Sequence, residues 1–250
     1  MSAPQRLVSL VPSTTETVCA FGAAARLVGC TRYCTEPPQA LREVARVGGT
    51  KNPDREAIMR LAPDLVLTNA EENRAEDIAW LTERVAVLTQ TPCDVAAALG
   101  MLRELARTLH CEAAASPFVQ RIEQLVRGRV EPRSPLRAYY AIWRKPWMSV
   151  GRATFVHDVL TWVGAMNVCA DDVERYPAVP PADAVARGVD VVLLASEPWE
   201  FDEAQRQQLV AERTFGDARL VLCDGRDFCW HGVRMAAGLG RAADLLRSLG

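Results

Sequence analysis

Two segments far apart in this chain carry one pattern. AIMRLAPDLVLTNAEE (Ala57–Glu72) and AVARGVDVVLLASE (Ala184–Glu197) align with a single one-residue gap. Ala57, Arg60, Asp64, Val66, Leu67 and Glu71 then meet Ala184, Arg187, Asp190, Val192, Leu193 and Glu197. Each copy reads as an amphipathic helix running into a short apolar strand that ends in an acidic loop. Strands alternating with helices predict parallel sheets, and two copies predict two such sheets.

Between the copies lies SPFVQRIEQLVRGRV (Ser116–Val130). Ser116 before Pro117 reads as an N-cap and first helical residue. Phe118, Ile122, Leu125 and Val126 recur at helical spacing, and Gly128 with Pro132 marks the stop. The resulting helix spans roughly 21 Å at 1.5 Å per residue. The expected fold is therefore α/β: two Rossmann-like α/β lobes joined by a single long backbone helix, with a ligand cleft between lobes. The expected division is an N-terminal lobe over 1–93, a connecting helical segment over 94–131 and a C-terminal lobe over 132–250.

A chain of 250 residues suffices for two lobes with their own cores. The formal charge of −2, with mixed signs, gives no support for nucleic acid as a partner. No apolar run is long enough to span a membrane. The start, MSAPQRLVSLVP, lacks the pattern of an export signal, so the chain as written reads as cytoplasmic, and as periplasmic if a leader was removed. Eight cysteines (19, 30, 34, 93, 111, 169, 223, 229) are spread thinly with no CxxC, which reads as buried free thiols in a reducing compartment.

Locally, RLVSLVPS (Arg6–Ser13) reads as a first strand, and Ser13 with Glu16 as a capping box opening the helix that follows. Asn52–Pro53 reads as a helix start and Trp80 as core. Tyr33, Trp147, Tyr176, Trp199 and Trp230 all fall on loops after or between elements, from both halves of the chain. An aromatic wall of this kind suits a large, rigid, partly conjugated ligand. Arg152, Asp224, His231 and Arg234 are the candidate polar contacts. No GxSxG, HExxH, GxxxxGK[ST] or GxGxxG is present, which argues against an enzyme. Three histidines are too few for a direct zinc or manganese receptor.

RLVSLVPSTTETVCAFG, ARLVGCTRYCTEPPQ and REAIMRLAPDLVL, followed by the long helix and second lobe, resemble the class III periplasmic binding proteins. These are the substrate-binding components of ABC importers for vitamin B12, ferric siderophores and haem. The YxxxPPQ stretch at Tyr33–Gln39 is most similar to the cobalamin-binding branch. The resemblance implies two lobes braced by one helix, and contacts at Tyr33, Trp147 and Tyr176, with looser matches at Asp224 and Arg234. It also implies docking to a permease dimer through acids of each lobe, matched by Glu56 and, beside the expected Ala182, by Asp183. It implies a monomer with no intrinsic cofactor, whose ligand is cobalamin or another metal chelate. Two departures stand out besides the missing export signal: a second docking glutamate, and a tryptophan near Gly48–Thr50. A haem or ferric-siderophore binder, or a cytoplasmic sensing protein without a permease, are the alternative readings.

Overall fold

The computed structural model describes residues 2–128 and 135–249. The chain divides into two compact units. The first comprises Met1–Pro92, Ala96–Ile122 and His231–Arg234, and the second Cys93–Val95, Glu123–Trp230 and Met235–Gly250.

The first unit is built from β1 (Leu7–Ser9), α1 (Pro12–Ala20), β2 (Leu27–Cys30), β3 (Ala45–Arg46), α2 (Arg55–Arg60), β4 (Leu65–Thr68), α3 (Ala75–Thr82), β5 (Val87–Thr89) and most of α4 (Val95–Leu109). Its five strands are all parallel, in the order β3-β2-β1-β4-β5. Every residue of β1 and β4 is buried, so both faces of these strands are covered, as a sheet packed between helices requires. Val8, Leu10, Ile58, Val66 and Leu81 form the core, and Trp80 packs against it as expected from the sequence. The chain leaves this unit within α5 (Glu112–Arg127).

The second unit contains β6 (Leu136–Ala141), β7 (Trp143–Arg144), β8 (Trp147–Met148), α6 (Phe155–Trp162), β9 (Ala165–Asn167), α7 (Pro181–Ala186), β10 (Val191–Ala195), α8 (Glu203–Ala211), β11 (Arg219–Cys223), α9 (Arg226–Cys229) and α10 (Met235–Arg247). The parallel sheet runs β9-β6-β10-β11, which repeats β2-β1-β4-β5 of the first unit, and β7–β8 is a separate antiparallel hairpin. β4 and β10, the strands of the sequence repeat, hold the same place in their sheets. The repeat therefore reports a duplicated α/β unit, and the α/β, parallel-sheet expectation is met.

Three local expectations need correction. α5 starts at Glu112, not Ser116, so Pro117 lies inside it. The EAAA run ahead of it is made of strong helix formers, and the ring removes only one interior hydrogen bond. The Ser13–Glu16 capping box does not form: Pro12 takes the first turn, Val11 is the N-cap, and no side chain caps the helix. Glu16 is instead engaged by Arg234. The cap of α2 is Asp54, whose side chain accepts from the Ala57 N–H at 2.8 Å, rather than Asn52. The expected stop of α5 at Gly128 is met, with its N–H donating to the Gln124 carbonyl at 2.9 Å. Val130, Pro132 and the 131/132 boundary lie outside the described residues.

Candidate functional site

Loops at the carboxyl ends of parallel strands are where α/β folds place their ligand contacts, because every such loop opens on the same edge of the sheet. In the second unit four loops share that edge. β6 leads into the Trp143–Arg152 segment, β9 into the loop with Tyr176, β10 into Glu197 and Trp199, and β11 into Asp224. Two of these loops are stitched together by the main chain. The N–H groups of Ser149, Gly151 and Val179 donate to the carbonyls of Pro177 (3.0 Å), Arg175 (2.7 Å) and Trp147 (3.0 Å). A Cβ at position 151 would stand 2.4 Å from the Glu174 carbonyl oxygen, so this join requires glycine.

The rings on this edge differ in how committed they are. Trp147 stacks on Phe201 (5.8 Å, 10°) and meets Phe215 edge-on (5.1 Å, 86°), so much of it is packed against the core. Trp199 is also packed there, with Trp143 edge-on at 4.9 Å. Tyr176 is 38% exposed, with the Arg175 guanidinium 6.0 Å from its ring centroid. In the first unit, Tyr33 follows β2 and is 51% exposed, and the Arg32 guanidinium lies 5.0 Å from its centroid. β2 and β9 are equivalent strands of the duplicated unit, so each unit presents an Arg–Tyr pair after the same strand.

The expected polar contacts are already engaged. Arg152 pairs with Asp171 at 2.5 Å on the open surface. Asp224 is gripped by Arg226, whose Nε and Nη2 stand 2.9 and 2.8 Å from its two oxygens. Arg234 forks onto Glu16 at 2.9 and 3.2 Å, with both side chains mostly buried. His231 is buried, its Nε2 3.3 Å from Asn69 Nδ2, and burial pushes its pKa down to about 4. Trp230 is buried as well, with the Arg226 guanidinium 6.0 Å from its ring. The structure thus brings Trp147, Tyr176, Trp199 and Asp224 to one edge of the second sheet. His231 and Arg234 belong to the first unit's interior, and Trp230 to the second's.

Glu197 follows β10 on this same edge and is not among the contacts expected from the sequence. It accepts a hydrogen bond from Cys229 Sγ at 3.1 Å, and burial raises its pKa above the ordinary carboxylate range. Its place opposite Glu71 in the sequence repeat was the available signal.

Glu56 and Asp183 both sit, exposed, in the first turn of the helix that feeds the repeat strand, Glu56 on α2 and Asp183 on α7. Beside Glu56 an open cavity of about 490 Å³ is lined by Asp54, Arg55, Arg74, Glu76, Asp77 and Trp80, among others. Among the described residues, no group of three or more His, Cys, Asp or Glu side chains converges on a metal position, and no helix is long and apolar enough to cross a membrane.

A family model described as "Periplasmic binding protein" matches residues 7–218. The vitamin B12-binding protein of Vibrio cholerae is 28% identical over 193 residues, covering 75% of this chain and 69% of that protein. The vitamin B12-binding protein of Pectobacterium carotovorum is 27% identical over 208 residues, covering 81% and 75%. Among solved structures, the periplasmic vitamin B12-binding protein BtuF of Vibrio cholerae superposes with a TM-score of 0.85 at 21% identity, covering 98% of both chains. The periplasmic heme-binding protein BhuT, in complex with two hemes, gives 0.82 at 24% identity over 98% of this chain and all of that one.

Proposed function

Because this chain belongs to the periplasmic binding protein family, we propose that it is the non-catalytic ligand-binding component of an ABC importer, acting in the periplasm. Its ligand is a large metal chelate, with cobalamin or a related corrinoid as the first choice. The observation that carries this is the match to vitamin B12-binding proteins over about three-quarters of the chain. The half-exposed Tyr33 and Tyr176, each beside an arginine at the carboxyl edge of its own sheet, support it, since flat rings suit the face of a macrocycle. Trp147 and Trp199 add apolar surface on the second unit's edge.

The exposed acids Glu56 and Asp183 are the proposed contacts to a permease dimer. In the cavity beside Glu56 the neighbouring acids and the Trp80 ring are held by the chain's own arginines, Asp77 by Arg55, Glu76 by Arg74 and the ring by Arg55 and Arg84.

A thermal-shift screen of the purified chain tests the ligand assignment. Cyanocobalamin at one hundred times its dissociation constant adds about 2.7 kcal/mol of stability. That corresponds to roughly 5–10 °C for a protein of this size. The expected order is cobalamin and cobinamide first, haem and ferric siderophores after. A shift with haem alone would move the assignment to the haem-binding branch.

A further inference from the structure

β2 ends at Cys30, and after Thr31 the chain presents Arg32 and Tyr33 at the carboxyl edge of the first sheet, where parallel strands release their loops. Both residues are exposed. The main chain fixes where they stand: the Arg32 N–H donates to the Gly48 carbonyl at 2.9 Å, which ties this loop to the turn beyond β3. The two side chains lie against that turn. A Cβ at position 49 would stand 3.3 Å from both Arg32 Nη2 and Tyr33 Cε2, and 2.5 Å from Asn52 Oδ1, so glycine makes the room. Arg32 Nη2 donates to the Tyr33 hydroxyl oxygen at 3.1 Å. That bond has a direction. A guanidinium only donates, so the phenol oxygen accepts and its own O–H is left to donate outward. Among the described residues no carboxylate pairs with Arg32. Arg152, Arg226 and Arg234, by contrast, are each held by one. A guanidinium without a counter-charge beside a polarised hydroxyl is a two-donor receptor for one negatively charged group.

We propose that Arg32 and the Tyr33 hydroxyl together bind an anionic group of the guest, so that this corner of the first unit selects for charge as well as for a flat ring. The proposal rests on the assignment of a metal-chelate ligand and adds to it the chemistry of one contact. On cobalamin the group is the phosphodiester of the nucleotide loop; on haem it is a propionate. Either offers oxygens that accept from a guanidinium N–H and a phenol O–H at once. The Tyr33 ring lies along the apolar part of the guest while the donors at its hydroxyl end take the charge. Dicyanocobinamide, the same corrin ring without the nucleotide loop, lacks the phosphodiester and gives the pair no charge to hold.

Isothermal titration of the purified full chain compares cyanocobalamin with dicyanocobinamide in the wild type, Arg32→Gln and Tyr33→Phe. Both positions are on the surface and Tyr33→Phe keeps the ring, so all three proteins are expected to melt together. Each variant loses about tenfold in affinity for cyanocobalamin, the scale of a hydrogen bond to a charged group, and binds dicyanocobinamide as the wild type does. Added salt weakens the wild type's hold on cyanocobalamin toward that of Arg32→Gln. Equal losses for the two corrinoids, or no loss for cyanocobalamin in Arg32→Gln, overturn the proposal and leave the corrinoid assignment standing. If the wild type takes haem and neither corrinoid, the corrinoid assignment falls and the tenfold loss is expected with haem instead; haem binding untouched by Arg32→Gln overturns the proposal. A chain that binds none of the three overturns both.

Discussion

The main-chain N–H of Arg137 donates to Asp190 Oδ2 at 2.8 Å, and the Asp190 N–H donates back to the Arg137 carbonyl at 2.8 Å. The first unit repeats the arrangement: Arg6 N–H to Asp64 Oδ1 at 2.9 Å, and Asp64 N–H to the Arg6 carbonyl at 2.9 Å. Each guanidinium then reaches the carbonyls at the end of the preceding helix, Leu61 and Ala62 in one unit, Arg187 and Gly188 in the other. The pair thereby ties the entry of the first strand to the turn before the repeat strand. Asp64→Ala and Asp190→Ala are each expected to cost about 1 kcal/mol, the scale of exposed hydrogen bonds. Urea unfolding of the two variants checks this, with a lower midpoint and an unchanged slope as the expected result.

Tyr33 and Trp147 are expected to separate binding from stability. Tyr33→Ala removes a half-exposed ring, so it lowers cobalamin affinity about tenfold, the scale of an aromatic contact, while the melting temperature holds. Trp147→Ala empties a site packed against Phe201 and Phe215 and costs about 2–3 kcal/mol, below the range for a wholly buried tryptophan. Calorimetric titration and thermal unfolding of both variants give the comparison.

His231 makes stability depend on pH in a definite direction. Burial holds its imidazole near 4, below the ordinary 6.5. The unfolded chain takes up a proton below 6.5 while the folded one resists until about 4, so stability rises with pH across that window. The contribution is complete above pH 6.5 and falls by on the order of 3 kcal/mol as pH drops to 4. His231→Gln, measured by denaturant unfolding at several pH values, is expected to flatten this slope.

Glu16 and Arg234 bond through two contacts in mostly buried surroundings. A double-mutant cycle of Glu16→Gln and Arg234→Gln is expected to give a coupling of about 1–3 kcal/mol in thermal or urea unfolding. Additive single effects would show that the pair contributes no stability of its own.

The duplicated architecture was legible because the repeat lies in local patterning. Helix spacing, apolar runs and turn residues recur at Ala57–Glu72 and Ala184–Glu197, and β4 and β10 follow from them. Helix starts were less legible where several caps competed. Pro12 displaced Ser13 from the cap, and the EAAA run carried α5 past Ser116. The loop positions of the aromatics were also readable, but not their commitments. Nothing in the local sequence says that Trp147 stacks on Phe201 or that Arg234 is engaged by Glu16, because those partners are distant in the chain. The same holds for Arg46, whose contact with Cys30 exists only once β2 and β3 pair.

Isothermal titration of the purified full chain with cyanocobalamin tests the central claim most directly. The account predicts one saturable site per chain, with a dissociation constant in the micromolar range or tighter, and quenching of intrinsic tryptophan fluorescence in the same titration. No heat and no quenching with cyanocobalamin, cobinamide, haem or a ferric siderophore would contradict it.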